Sequence, residues 1–186
     1  MRILTLNGSP RTNSNSMALA EAVLAELPGG ATCVAVPGNI LACSACGLCA
    51  AGAACPLDSH DAMPDLRAGL HDSDRLLVVS PLHFSSLAAP LVTAFSRLQP
   101  EWRSRPRPAM NAQTPQKKGA LVVTGGSLYP NMFEAARIVT AAVFRTLGYA
   151  FSGMATASDT DALPVTDNLP ALERARQIGV ELAREA

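Results

Sequence analysis

The sequence predicts an α/β fold in which helices cover both faces of an open parallel sheet. Five apolar segments of strand length each precede a segment with helical spacing, and this alternation favours parallel βαβ units. The runs 76–79 and 121–123 are continuously apolar, as in strands that are covered on both faces. The predicted strands are residues 2–6, 32–36, 75–80, 120–124 and 149–154, and the predicted helices are residues 16–27, 61–70, 89–98, 132–147 and 169–184.

Hydrophobic spacing justifies the individual elements in chain order. The first strand is a short apolar run that ends at a polar loop, and the first helix follows because Leu19, Val23 and Leu27 recur at intervals of four residues. The third and fourth strands are the two continuous apolar runs. In the helix at 132–147, Ile138 and Ala142 again lie one turn apart. Strands and helices therefore alternate along the chain.

The composition indicates one domain that covers residues 1–186. Hydrophobic residues make up 48% of the chain, and 15 basic residues balance 15 acidic ones. The balanced charge argues against a nucleic-acid partner, and the apolar runs are too short to cross a bilayer. We therefore expect a cytoplasmic protein without a membrane partner. Two segments interrupt the pattern: a Cys-rich insert at about 37–56 and an irregular, proline-rich excursion at about 99–118.

A polar loop joins the first strand to the first helix and forms a candidate phosphate site. The unpaired amides and the dipole of a first helical turn attract anions, and hydroxyl, amide and guanidinium donors add to them. The loop lacks the nucleoside-triphosphate and dinucleotide glycine patterns, so a single phosphomonoester such as that of FMN suits it best. A capped turn without a ligand is the alternative. The candidate residues are Ser9, Arg11, Asn13, Ser14, Asn15 and Ser16.

Two further loops follow the third and fourth strands, at the sheet edge where ligands of such folds bind. The first offers an apolar wall and turn amides for a flat aromatic ring, and the second has paired glycines that allow a close backbone approach. An ordinary loop with a buried aromatic side chain, and plain turn glycines, are the alternatives. The candidate residues are Pro81, Leu82, His83, Phe84 and Ser85 in the first loop, and Thr124, Gly125 and Gly126 in the second.

Four of the five cysteines form one compact run, namely Cys43, Cys46, Cys49 and Cys55. The spacing of three residues places the first three thiols on one side of the chain, and Cys55 can complete the set. Such compact runs bind [4Fe–4S] clusters. Structural zinc held by four thiolates and a set of free thiols are the alternatives, and both remain open.

These motifs together resemble the NADPH-dependent FMN reductase and iron–sulfur flavoprotein group of flavodoxin-like proteins. The resemblance extends from residue 1 to about residue 154 and depends on the polar loop, the cysteine run and the two later loops. It implies a three-layer flavodoxin-like sandwich with five parallel strands in the order 2-1-3-4-5. It also implies a homodimer or homotetramer with the flavin near a subunit contact.

The resemblance further implies one FMN per site. Pro81, Leu82, His83 and Phe84 would line the isoalloxazine ring, and the group commonly has tyrosine where this chain has His83. Gly125 and Gly126 would face the polar edge of the ring. The residues that would hold the phosphate are Ser9, Arg11, Ser14, Asn15 and Ser16.

The expected function is an oxidoreductase in which FMN carries the chemistry and no side chain acts as catalyst. The nicotinamide of NADH or NADPH would reduce the flavin, and the electrons would pass to a quinone, a flavin, a nitro-compound or a protein acceptor. One alternative is an iron–sulfur flavoprotein that carries electrons between protein partners. Another is a cysteine-based metal or redox sensor that binds no FMN.

Overall fold

The computed structural model describes residues 1–28, 32–36, 38–104 and 117–184, with the backbone alone for 32–35. Its sheet contains five parallel strands in the order β2-β1-β3-β5-β6, and a short antiparallel strand, β4, pairs with β3. Counting the parallel strands alone, this is the predicted order 2-1-3-4-5. The strands are β1 Ile3–Asn7, β2 Thr32–Ala35, β3 Arg75–His83, β4 Ser86–Leu87, β5 Lys117–Thr124 and β6 Tyr149–Ala157.

Helices cover both faces of the sheet, which confirms the three-layer flavodoxin-like fold. On one face, Leu76 and Val78 of β3 pack in a core with residues of α2, α3 and α5. On the other face, Leu77 and Val79 pack in a second core with residues of α1 and α6. This alternation follows from the period of two along a strand. The helices are α1 Asn15–Leu24, α2 Met63–Asp72, α3 Ala89–Ser96, α4 Gln99–Ser104, α5 Glu134–Leu147 and α6 Leu169–Ala183.

The structure contains two elements, α4 and β4, that were not predicted from the sequence. The range 99–118, predicted to be irregular, contains α4 and the first residues of β5, while residues 105–116 lie outside the described part. The buried Glu101 fixes α4 because its carboxylate pairs with Arg67 of α2. Strand β3 is longer than predicted because it continues into a two-residue hairpin with β4. Local sequence did not reveal that hairpin, since its turn lacks the usual Asn-Gly or Asp-Gly.

No helix in the described ranges combines the length and the apolar character that a membrane span requires.

Candidate cofactor site

A cleft of about 370 Å³ lies at the carboxyl ends of β1, β3 and β5. This edge is the topological switch point of the sheet, because the order in which strands are added reverses between β1 and β3. From β1 the chain adds β2 on one side, and from β3 it adds β5 and β6 on the other. All the predicted cofactor residues line the cleft except Phe84, Ser85 and Gly125. The predicted residues that meet there are Ser9, Arg11, Asn13, Ser14, Asn15, Ser16, Pro81, Leu82, His83, Thr124 and Gly126.

The first wall of the cleft is the loop before α1 together with the first turn of that helix. Ser14 is the N-cap and accepts a hydrogen bond from the Met17 amide at 3.1 Å. Upstream, the side chain of Asn7 accepts from the Ser9 amide at 2.9 Å and closes a tight turn. These bonds fix the loop while the first helical amides keep no intrahelical partner. The wall therefore presents unpaired amides of the kind that anions bind.

Arg11 and Ser16 add charge and hydroxyl chemistry to this wall. Arg11 is exposed and forms no ion pair with any residue of the described ranges, so its guanidinium is available for an anion. Ser16 is buried, and its hydroxyl lies 2.7 Å from that of Thr124, at the end of β5. This bond joins the start of α1 to the end of β5.

The side chain of Asn15 braces the site. Its amide group donates to the Thr160 carbonyl at 3.4 Å, and its oxygen accepts from the Val165 amide at 3.1 Å. Both ends of the side chain are thus engaged by the loop between β6 and α6. One N–H of the side-chain amide and the backbone amide of Asn15, in the first turn of α1, are not used by these bonds.

The second wall is the carboxyl end of β3. Pro81 and Leu82 are half-buried and form an apolar surface, while His83 is exposed at the rim. The hairpin turn beyond them carries Phe84 and Ser85 outside the cleft, so neither residue joins the other predicted ligands. The Ser85 hydroxyl lies 2.9 Å from the Tyr129 hydroxyl, which ties the hairpin to the loop after β5.

The backbone of the hairpin turn is strained. Phe84 and Ser85 have φ angles of 52° and 61°, a left-handed conformation that suits Asn and Gly and disfavours bulky side chains. Phe84 is fully exposed at 106% of its reference area. The strain is therefore not offset by packing of its ring within the described chain.

Replacing Phe84 by Asn is expected to raise the free energy of unfolding of the monomeric chain by about 1 kcal/mol, because Asn tolerates the left-handed region and no contact buried within the chain is lost. Urea denaturation of both proteins measures the change. Phe84→Leu is the matched control, since leucine removes the ring but keeps the strain. Equal stabilisation by both substitutions would contradict the explanation.

The third wall is the glycine loop after β5, which hydrogen-bonds to the loop after β6. The Gly125 amide donates to the Ala157 carbonyl at 2.9 Å, and the Thr160 amide donates to the Gly125 carbonyl at 3.0 Å. Gly125 itself lies behind the cleft. A side chain there would meet Met132 Cε at 2.3 Å, so a larger residue would have to displace the end of the Met132 side chain.

Three further residues line the cleft that were not predicted from the sequence: Pro10, Thr160 and Asp161. Pro10 lies within the phosphate loop. Thr160 and Asp161 belong to the loop after β6, and the fifth parallel strand ends at the same sheet edge as the others. The rule that ligands bind at the carboxyl ends of parallel strands was applied to the strands at 2–6, 75–80 and 120–124. Applied to the last strand as well, it would have indicated this loop.

The cysteine run lines a second cavity, of about 420 Å³, that shares no residue with the cleft. Cys43, Cys46, Cys49 and Cys55 all contribute to it as free thiols. Within the described ranges, no three His, Cys, Asp or Glu side chains are grouped closely enough to hold a single metal ion. The structure thus brings the cysteines to one cavity without forming a preorganised single-ion site.

A buried network of ion pairs lies next to the cysteine cavity. Arg97 is 2% exposed, and its guanidinium contacts Asp61 and Asp58 at 2.6 Å each. It also donates to the Leu41 carbonyl at 3.0 Å, and the Asp61 carboxylate accepts from the Leu41 amide at 2.9 Å. The network therefore fixes the chain at the start of the cysteine run.

The network also determines the charge of its members. Burial alone would favour a neutral Asp61, but hydrogen bonds from the Leu41 and Met63 amides and from Arg97 hold the pKa of its carboxyl below the ordinary 3.8. Burial likewise opposes the charge of Arg97, but its hydrogen bonds to Asp61 and Asp58 raise the pKa of the guanidinium. Both groups are thus ionised in the folded protein.

The donor set of the cleft fits FMN. The amides, hydroxyls and guanidinium at the start of α1 suit a phosphate. Pro81 and Leu82 provide the apolar surface that an aromatic ring requires, and the volume lies in the usual range for small-molecule sites. The site divides into a phosphate end and a ring end.

Solved structures share this fold over nearly the whole chain. The NAD(P)H:quinone oxidoreductase from Methanothermobacter marburgensis has a TM-score of 0.76 at 18% identity and covers 100% of this chain and 98% of its own. The FMN-dependent NADH-azoreductase from Bacillus anthracis, solved in complex with FMN, has a TM-score of 0.70 at 13% identity and covers 99% and 100%. The comparison with curated proteins found no match.

The sequence profile of one family matches most of the chain. Residues 1–150 match the family described as NADPH-dependent FMN reductase, and this range includes the phosphate loop, the end of β3 and the glycine loop. The family match agrees with the arrangement of hydrogen-bond donors in the cleft, which fits FMN. This chain is therefore an oxidoreductase that belongs to the NADPH-dependent FMN reductase family.

Proposed function

We propose that the protein binds one FMN in the cleft and passes electrons from NADPH or NADH to a small aromatic acceptor such as a quinone. The observation that carries the proposal is the division of the cleft, with anion donors at the start of α1 and an apolar wall at the end of β3. When bound, FMN would accept a hydride from the nicotinamide and pass the electrons on to the acceptor. Free flavins, nitro-compounds and protein partners are further acceptor classes.

The side chains bind and orient the cofactor. Arg11, Ser14 and Ser16 hold the phosphate, together with Ser9, Asn13 and the first amides of α1. Pro81 and Leu82 pack against the ring, and His83 lies at the open rim where an acceptor enters. Thr124 and Gly126 complete the lining of the cleft at the end of β5. No acid or base is required from the protein in this scheme.

Anaerobic stopped-flow spectroscopy of the FMN-reconstituted protein tests the proposal. We expect NADPH or NADH to bleach the flavin absorbance band, and a quinone to restore it. Bound FMN that neither nucleotide reduces would reject the reductase and favour an electron carrier. A protein that takes up no FMN would reject both functions.

A second function, electron transfer through a [4Fe–4S] cluster, is supported by the cysteine cavity. All four cysteines line the cavity, and a cluster spreads its thiolate ligands more widely than one zinc ion does. Arg97 also lines it, and the buried Nε of Arg97 has no hydrogen-bond partner in the described part of the chain. A buried N–H donor without a partner, such as Arg97 Nε, would be satisfied by an electron-rich group bound in the cysteine cavity.

Cys46→Ser is expected to abolish cluster absorbance in anaerobically purified protein and to leave FMN binding unchanged, because the two cavities share no residue. Iron and sulfide analysis provides the measurement. Ser44→Ala, a neighbouring change in the same cavity that removes no thiol, is the control. Wild-type protein without iron and sulfide would leave the cysteines as free thiols or a zinc site, which metal analysis separates.

We also propose that the chain acts as a single domain in a cytoplasmic homodimer or homotetramer. The supporting observation is the cluster of exposed apolar side chains beside the cleft: Phe84 at the hairpin tip, and Leu128 and Tyr129 in the loop that is bonded to it. Such a patch favours a protein contact. Light scattering of the purified protein measures the subunit number, and a monomer would reject the proposal.

A further inference from the structure

We propose that Asp161 binds the hydroxyl groups of the polyol chain of FMN and thereby fixes the direction in which the cofactor lies. The inference depends on the proposed FMN function and adds a specific binding residue to it. Asp161 was not among the sequence-predicted ligands, and it lies outside residues 1–150 that match the family. It lines the cleft next to the third wall.

The carboxylate of Asp161 lies beside Gly126 in the cleft. An added side chain at Gly126 would meet Asp161 Oδ2 at 2.6 Å, so the absence of a side chain leaves room for the carboxylate. The carboxylate forms no hydrogen bond or ion pair with the described residues, although its neighbours in the loop are bonded. The side chain is exposed, so its carboxylate is free to accept hydrogen bonds from a ligand in the cleft.

The backbone holds Asp161 in this position. The Asp161 amide donates to the Gly126 carbonyl at 3.4 Å, and the Thr160 hydroxyl donates to the Gly125 carbonyl at 3.2 Å. On the other side, Asn15 holds the Thr160 carbonyl. The loop is thus tied both to the glycine loop and to the start of α1, and the carboxylate is presented on a rigid support.

The chemistry of a carboxylate selects one part of FMN. An ionised carboxylate only accepts hydrogen bonds, so it repels a phosphate and attracts hydroxyl donors. The phosphate belongs with Arg11 and the amides of α1. The oxidised ring has no O–H group and only a single N–H donor. The polyol chain between them carries several hydroxyl groups. Asp161 therefore suits the polyol, and it disfavours a reversed cofactor with the phosphate beside Gly126.

A series of three flavins tests the proposal: FMN, riboflavin, which lacks the phosphate, and lumiflavin, which lacks the polyol as well. Asp161→Asn and Asp161→Ala are expected to weaken FMN and riboflavin by a similar factor, roughly tenfold or more, as for a hydrogen bond to a charged group. Lumiflavin affinity should not change. Fluorescence titration measures all three.

Asp159→Asn is the matched control. It removes the same charge from the same loop, two residues away, but Asp159 does not line the cleft, and asparagine tolerates its φ of 57°. We expect wild-type affinities for this variant. Near-UV circular dichroism confirms that each variant is folded.

Three results would overturn the role of Asp161. Unchanged FMN and riboflavin affinity in both Asp161 variants would remove the contact. Equal weakening of lumiflavin would indicate a general effect on the cleft. Tighter FMN binding in Asp161→Asn would indicate that the carboxylate repels the phosphate. Failure of the wild-type protein to bind FMN would instead reject the proposed function, so the two failures are distinguishable.

Discussion

Arg97→Met is expected to lower the free energy of unfolding by about 3–5 kcal/mol at neutral pH, the usual cost of removing one partner of a buried ion pair. Methionine fills the space of the side chain but leaves the Asp61 carboxylate without its cation. The Asp61 side chain has no exposed surface, and that of Arg97 has 1%. The charge left behind is therefore poorly hydrated. Denaturant unfolding, monitored by circular dichroism, measures the loss.

The size of this loss should depend on pH. The folded-state pKa of Asp61 lies below its ordinary 3.8, so its ionised form contributes stability above about pH 4, and this contribution is lost as the pH falls through the folded-state pKa. In Arg97→Met, the unpaired carboxylate takes up a proton more readily. The stability difference between wild type and variant should therefore be largest near pH 7 and shrink in acid.

Arg137→Met provides the control for the loss of a positive charge. Arg137 pairs with Glu134 at 2.6 Å on the exposed face of α5, where water and salt screen the interaction. We expect no measurable change in its stability. A similar loss in both variants, or a loss in Arg97→Met that is the same at pH 7 and in acid, would contradict the role of the buried pair.

Arg11→Ala is expected to weaken FMN binding by about ten- to a hundredfold, the effect of one hydrogen bond to a charged group. The guanidinium is exposed and unpaired within the described ranges, and it lies in the same wall as Ser14 and Ser16. The variant should fold normally, because the Arg11 side chain forms no hydrogen bond or ion pair with the described residues. Fluorescence titration with FMN measures the change.

Riboflavin provides the control for this substitution. Because it lacks the phosphate, its affinity should be the same for wild type and Arg11→Ala. The charge-retaining variant Arg11→Lys should recover part of the FMN affinity, since lysine keeps the charge but lacks the planar donor fork. Equal FMN affinity in all three proteins would remove Arg11 from the site.

Much of the cleft could be predicted from sequence because loops at the ends of parallel strands converge at one edge. This rule correctly brought the loops with Ser14, Pro81 and Thr124 together. It failed at Phe84, where the chain turns back in a hairpin and sends the ring outward. The turn contains neither Asn nor Gly, so local chemistry did not indicate it. The position of Gly125 also depended on packing, against Met132.

By itself, the sequence determined the alternation of strands and helices and the donor-rich character of the phosphate loop. These properties arise from residues within a few positions of one another, through hydrophobic period and helix capping. Only the tertiary structure decided which side chains meet. Ser16 contacts Thr124 across 108 residues of chain, and Asn15 reaches Thr160 across 145. Such contacts depend on which strands pair as neighbours in the sheet, and no local pattern encodes that order.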